Sequence, residues 1–244
     1  MQLIISHKVP NGLILPINYQ HILQSIIYKN LINACGYSDF LHNKGYLFEE
    51  REYRMFTFSF INGKYRIKNK EIRFEDEISF EVRSPEVFLI RQLAENIQKN
   101  GITYRNQHFE NVELFVMDNT VEEEELYIKM RTPICVYSTN SISGKTHFFS
   151  PQEDDFCELV VENFFRKYIA YYGIEPEESI WIEPVYISEK DKFVTNYKGF
   201  YMSGFMGEYR LLGQRKYLDF LYQTGLGSKN AQGFGMFDCK YYEM

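Results

Sequence analysis

Two residue periodicities alternate along this chain, and their order leaves few folds open. Residues 2–9 (QLIISHKV) read as a strand. Pro16 then opens a helical pattern, because proline's fixed φ suits a first turn. Ile22 with Ile26, and Leu23 with Ile27 and Leu31, repeat at i, i+4, which predicts an amphipathic helix over 17–34 with Gly36 past its end. A short helix capped by Ser38 or Asp39 and closed by Gly45 is expected next. Residues 54–61 (RMFTFSFI) alternate as a strand, Asn62-Gly63 reads as a tight turn, and KYRIKN completes a hairpin. A strand over 76–83, a helix over 86–99 closed by Gly101 and a strand over 107–117 complete the order β-α-β-β-α-β.

The rest of the chain repeats that order without an evident repeat of sequence. A strand is expected over 124–138 and a helix over 153–172, with Glu153, Asp154 and Asp155 in the first turn, where the helix dipole favours acids. Strands near 179–188, 191–196 and 200–211, a helix over 214–223 and a strand over 234–242 follow. The expected fold is therefore α+β, two tandem ferredoxin-like domains, at 1–120 and 121–244. Their boundary falls near 117–123, in the polar, acidic run VMDNTVEEEE.

Charge alone argues against a nucleic-acid partner, since the net value is −6. Its distribution argues differently. Residues 44–73 carry eight Lys/Arg against four Glu, and residues 153–183 carry nine acids against two bases. An acidic protein can still present one basic face. Cys35, Cys135, Cys157 and Cys239 are scattered, with no CxxC pair and no zinc-like spacing, which suits a reducing, cytoplasmic setting. No apolar run approaches membrane-spanning length, so no membrane partner is expected. Aromatic residues make up 17% of the chain, a share that suits strands or base stacking.

The string GLGSKNAQGFG carries Gly225, Gly227, Gly233 and Gly235 between a predicted helix and the last strand. Glycine permits positive φ and close approach of a ligand to backbone. Exposed N–H groups could then hold phosphate oxygens, with Lys229, Asn230 and Gln232 as added donors. The alternative is a glycine-rich turn without a ligand. Neither the Walker phosphate loop nor the dinucleotide fingerprint fits, because the string lacks their spacing and a helix precedes it.

TGLGSKNAQGFGMF resembles the C-terminal G-rich loop of the CRISPR repeat-RNA-processing endoribonucleases, a repeat-associated family with ferredoxin-like, RNA-recognition-type folds. LPINYQHILQSIIYKNL is similar to that family's first helix. The resemblance implies cleavage of CRISPR repeat RNA without metal or other cofactor. The ribose 2′-OH attacks the adjacent phosphate, leaving 2′,3′-cyclic phosphate and 5′-OH ends. It implies RNA contacts at Gly225, Gly227, Lys229, Asn230, Gly233 and Gly235. It also makes other subunits of a CRISPR effector complex, or a second copy of the chain, expected partners.

That chemistry needs proton-transfer groups and positive charge at the crowded phosphate. His42, in DFLHNKGY, matches the segment in which the family places its catalytic His; otherwise it reads as a helix-end His. Tyr28 shares a helix flank with His21 and Gln24, and resembles a family Tyr that orients ribose or protonates the leaving oxygen; packing is the alternative. The family's Lys before its apolar-Phe-Thr strand is replaced by Arg54, which stays charged and cannot shuttle protons. Lys44 is the other candidate for the phosphate charge. Lys64, Arg66 and Lys68 fall on one face of the predicted hairpin, to track phosphates or to form a solvated edge. His7, His108 and His147 look ordinary. A non-catalytic RNA-binding subunit is the second functional reading, and a nucleotide-phosphate enzyme, disfavoured by the missing motifs, the third.

Overall fold

The computed structural model describes residues 1–31, 45–197 and 199–240. The first half runs β1 (Gln2–Lys8), β2 (Leu13–Pro16), α1 (Gln20–Lys29), the ribbon β3 (Tyr46–Phe48) and β4 (Arg51–Tyr53), then β5 (Thr57–Phe58), β6 (Asn62–Lys68), β7 (Glu71–Arg83) and α2 (Val87–Asn100). A second ribbon, β8 (Ile102–Tyr104) and β9 (Gln107–Phe109), leads into β10 (Val112–Met117). The sheet order is β10-β1-β7, with β5 and β6 on the far edge of β7 and β2 extending the β1 side. All of these pairings are antiparallel.

The second half runs β11 (Glu125–Met130), the ribbon β12 (Tyr137–Thr139) and β13 (Thr146–Phe148), then α3 (Asp155–Tyr172) and β14 (Trp181–Tyr186). The hairpin β15 (Lys192–Tyr197) and β16 (Phe200–Phe205) precedes β17 (Glu208–Leu212), α4 (Arg215–Thr224) and β18 (Phe237–Cys239). Its sheet order is β14-β17-β11-β18. With ribbons set aside, both sheets place the fourth strand beside the first and the third between first and second. That is the ferredoxin-like order, so the chain holds two such units in tandem.

Each helix covers its sheet with an apolar stripe. Ile22, Leu23, Ile26 and Ile27 of α1, with Leu89, Ile90, Leu93 and Ile97 of α2, enter the first core. Phe156, Val160 and Phe164 of α3, with Tyr217, Leu218, Phe220 and Leu221 of α4, enter the second. Met55 belongs to the second core although it precedes β5, and Tyr46 and Tyr53 pack beside it. The β3–β4 ribbon thus leans on the second half and carries Arg54 toward it.

A buried charge cluster also ties the sheets. Arg83, 2% exposed, bonds Glu81 Oε1 at 2.5 Å, the Phe237 carbonyl at 2.6 Å and Asp238 Oδ1 at 2.9 Å. Arg131 completes it through Glu81 Oε2 and, at 3.6 Å, Asp238 Oδ2. Pairing offsets the large desolvation cost of these charges.

The element order agrees with the periodicities, and several boundaries move. Helix α1 is Gln20–Lys29, shorter than 17–34. Asn62-Gly63 is not the hairpin turn: both residues lie in β6, where the register shifts between Gly63 and Lys64. The turn is Asn69-Lys70, both at positive φ, as a two-residue hairpin demands. KYRIK therefore pairs with the start of β7 rather than with RMFTFSFI, of which only Thr57–Phe58 is paired. The expected strand 200–211 is two, separated at Gly207, whose φ of 106 turns the chain. The short helix expected near 38–45 lies outside the described residues.

Candidate functional site

A cleft of about 1200 Å³ opens where the two halves meet. Burial of the α1 stripe leaves His21, Gln24, Ser25 and Tyr28 along one wall. Arg51 to Arg54 of the leaning ribbon continue that wall. Opposite stand Tyr137, Asn163, Lys167, Tyr197 and residues 227–232 of the G-rich stretch.

Tyr28 and Arg54 meet in this cleft. The Tyr28 ring packs edge-on against Phe56, centroids 5.9 Å apart. The Arg54 guanidinium hydrogen-bonds the Tyr28 hydroxyl and pairs with Glu52 at 2.9 Å. Burial pushes the Tyr28 pKa up, and the Arg54 charge only partly opposes this. The phenol is therefore a proton or hydrogen-bond donor at neutral pH rather than a base. Arg54 brings a fixed positive charge to the same point.

The G-rich stretch forms a tight loop whose glycines serve packing. Gly235 has φ +80, and a Cβ there would lie 2.0 Å from the Leu226 carbonyl oxygen. At Gly233, φ +85, a Cβ would lie 2.9 Å from the Phe58 ring of the first half. The loop is bolted from both sides. Gln24 donates to the Ala231 carbonyl at 2.6 Å, and Thr57 to the Phe234 carbonyl at 3.1 Å. From below, the buried Lys167 amine donates to the Gly225 carbonyl at 2.5 Å and to Asn230 Oδ1 at 3.2 Å. The Asn230 amide nitrogen donates to the Leu226 and Phe234 carbonyls at 3.0 and 3.1 Å. Burial pushes the Lys167 pKa down to about 7. Two acceptors match the two N–H bonds of a neutral amine.

The site residues expected from sequence therefore separate into groups. Tyr28, Arg54, Gly227, Lys229 and Asn230 line one cleft. Gly225, Gly233 and Gly235 shape its loop from behind, and the Asn230 amide is committed to the loop's own carbonyls. His42 and Lys44 lie outside the described residues. Lys64, Arg66 and Lys68 stand on the β6–β7 ribbon away from the cleft lining, with Lys64 paired to Asp76 at 3.2 Å and Arg66 to Glu75 at 3.3 Å. His7 is a core residue bonded to the Tyr104 hydroxyl at 3.0 Å. His108 meets Thr103 Oγ1 at 2.8 Å and His147 meets Glu153 at 2.6 Å. His21 lines the cleft, its Nδ1 donating to the Asn18 carbonyl at 2.8 Å.

Lys167 and Asn163 were missed by the sequence reading. Their signal was present: two polar residues, i and i+4, on the same face as Phe156, Val160 and Phe164.

Tandem ferredoxin-like units with a G-rich loop closing the cleft between them define the architectural class of this chain. Residues 116–239, just over half of the chain, match the family described as CRISPR associated protein Cas6, C-terminal, and the chain belongs to the Cas6 family. It is similar to the CRISPR-associated endoribonuclease Cas6 1 of Methanocaldococcus jannaschii, 24% identical over 97% of this chain and 91% of that one. It is also similar to the CRISPR-associated endoribonuclease Cas6 of Pyrococcus furiosus, 25% identical over 91% of this chain and 82% of that one. A solved structure described as a RAMP protein binding different RNA substrates superposes with a TM-score of 0.80 at 20% identity, covering 98% of this chain and 99% of the other. At that identity the superposition speaks for the fold.

Proposed function

We propose that this chain is a cytoplasmic endoribonuclease that cuts CRISPR repeat RNA once per repeat, by attack of a ribose 2′-OH on the adjacent phosphate. The observation that carries this reading is the single cleft in which Tyr28, Arg54 and the G-rich loop face one another. Two domains, 1–120 and 121–244, would form its walls; β10 ends at Met117 and β11 begins at Glu125, which supports that division. The names of the two endoribonuclease relatives support the reaction class.

In this reading Arg54 holds the phosphate and offsets its developing charge. Tyr28, kept protonated by burial, orients the ribose or gives its proton to the leaving 5′ oxygen. His42 takes the 2′-OH proton, with Lys44 as a second source of positive charge. Gly45, at the edge of the described residues, abuts Arg54: a Cβ on it would lie 3.5 Å from Arg54 Nε. Lys229 and the backbone of the G-rich loop hold the RNA strand, and the β6–β7 ribbon, through Lys64, Arg66 and Lys68, adds outlying phosphate contacts.

The test is cleavage of the cognate repeat RNA in excess chelator. One cut per repeat is expected, ending in a cyclic phosphate, and a single 2′-deoxy substitution at the cut should abolish cleavage and spare binding. Replacing His42 by Ala should slow cleavage at least about a hundredfold. Metal dependence, or cutting of the deoxy substrate, would refute the mechanism. Binding without cutting would make the chain a non-catalytic RNA-binding subunit.

A further inference from the structure

Two phenols of the cleft wall, Tyr28 and Tyr197, are given opposite polarity by their neighbours. Tyr197 is half-buried and ends β15. Its hairpin is fixed to the first half by the Thr195 hydroxyl, which donates to Asn18 Oδ1 at 3.1 Å, and by Phe193 against Phe60, ring centroids 5.4 Å apart. The Tyr197 hydroxyl bonds Gln24 Oε1. The Gln24 amide can sit only one way round. Its nitrogen meets the Ala231 carbonyl at 2.6 Å, a group that accepts and cannot donate, so its oxygen is the end that faces Tyr197. Tyr197 must therefore give its proton to Gln24. Burial pushes the Tyr197 pKa up, which keeps that proton in place. Toward any other group the Tyr197 oxygen can act only as an acceptor.

Tyr28 is the opposite case. Arg54 has only hydrogens to give, so the Tyr28 oxygen accepts there and its own proton is directed elsewhere. Tyr28 stands one helical turn after Gln24, near enough to Tyr197 for the second phenol to add to the upward push on its pKa. The cleft thus sets a donor on the first half beside an acceptor on the second. A strand of RNA offers such an acceptor two kinds of donor, base N–H groups and ribose 2′-hydroxyls. Arg54 and Lys229 in the same cleft attract phosphate, which turns the sugar–phosphate side of the strand toward these walls. The ribose hydroxyl is the donor on that side.

We propose that Tyr197 is a further substrate-contacting residue, accepting a hydrogen bond from the 2′-hydroxyl of one ribose beside the cut. The contact rests on the RNA-cleaving reading above. It adds a means of telling RNA from DNA at a nucleotide other than the one whose 2′-OH attacks.

The experiment measures binding of the unaltered protein to cognate repeat RNA made uncleavable by 2′-deoxy substitution at the cut. Each flanking ribose is changed, one at a time, to 2′-deoxy or to 2′-fluoro; fluorine keeps the ribose pucker and cannot donate a hydrogen bond. One position should lose about fivefold with either analogue. Tyr197→Phe should bind the parent RNA about fivefold more weakly and be indifferent to both analogues at that position, with its urea midpoint unchanged. Absence of a sensitive position, or sensitivity that persists in Tyr197→Phe, would overturn the contact. Loss with 2′-deoxy but not with 2′-fluoro would show that pucker is read rather than the proton, and would overturn the acceptor role. If the unaltered protein cuts the parent repeat yet shows no sensitive position, only this contact falls; if it neither binds nor cuts, the RNA reading falls and takes the contact with it.

Discussion

After its second helix the first half carries a two-strand ribbon, β8–β9, whose backbone satisfies itself by pairing. At the same place the second half carries the G-rich loop, fastened by Lys167 and Asn230 from within and by Gln24 and Thr57 from across the cleft. The sheets have the same strand order, and the connections differ in what they present. The first half offers the cleft charged and phenolic side chains on a helix and a ribbon. The second offers closely packed backbone that only glycine can follow. A shared frame thus presents two kinds of surface through its connections, one of polar side chains and one of packed backbone.

The sharpest way to break this contrast is at the reactive wall. Arg54→Ala should reduce single-turnover cleavage about a hundredfold or more with a smaller loss of binding, and Arg54→Lys should recover part of the rate. Tyr28→Phe should cost about tenfold in rate with folding unchanged. If both variants cleave at the unaltered rate, the first half does not supply the chemistry.

The structural wall answers to stability measurements instead. Gly235→Ala forces a side chain at positive φ into the Leu226 carbonyl and should destabilise the protein by about 2 kcal/mol in urea unfolding. A near-neutral effect would mean the loop tolerates rearrangement. Lys167 adds a pH dependence whose sign is fixed by burial. Its folded pKa, about 7, lies below that of an exposed lysine, so above pH 7 the unfolded chain binds more protons. Stability contributed by this group is lowest below the folded pKa and rises with pH up to the unfolded value, by at most about 1.4 kcal/mol per pH unit. The stability difference between the unaltered protein and Lys167→Met should therefore grow in favour of the former between about pH 7 and pH 10. A flat difference would show that Lys167 keeps its proton. The smallest effect is expected at the β6–β7 ribbon. Replacing Lys64, Arg66 and Lys68 together by Ala should weaken RNA binding about threefold and flatten its salt dependence, because two of the three already pair with carboxylates.

Helices and element order were legible because they are local: the i, i+4 apolar spacing in α1 needs no distant partner, whereas the alternation in RMFTFSFI promised a longer strand than the Thr57–Phe58 pair that β7 accepts. The hairpin turn was misplaced because Asn62-Gly63 is the stronger turn dipeptide by sequence, whereas pairing along the whole of β7 forces the turn onto Asn69-Lys70. Tyr28 and Arg54 were singled out through family resemblance, and the structure brings them together in one cleft. Lys167 was not, although a lysine on the apolar stripe of α3 was visible. The cleft itself could not be read. Its bolts join residues 177 and 207 positions apart, and no periodicity reports on such contacts.

The buried cluster of Glu81, Arg83, Arg131 and Asp238 has a consequence for how such a chain can change over generations. Loss of Glu81 strands the buried Arg83 guanidinium, whose one other carboxylate partner, Asp238, is half exposed, at a cost of about 3–5 kcal/mol for a broken buried pair. A substitution at one of these positions is tolerable only alongside an answering change in the other half. Exchange of either half between distant relatives should therefore lose stability unless the incoming half carries charges that answer Glu81 and Arg83, or Arg131 and Asp238, across the junction.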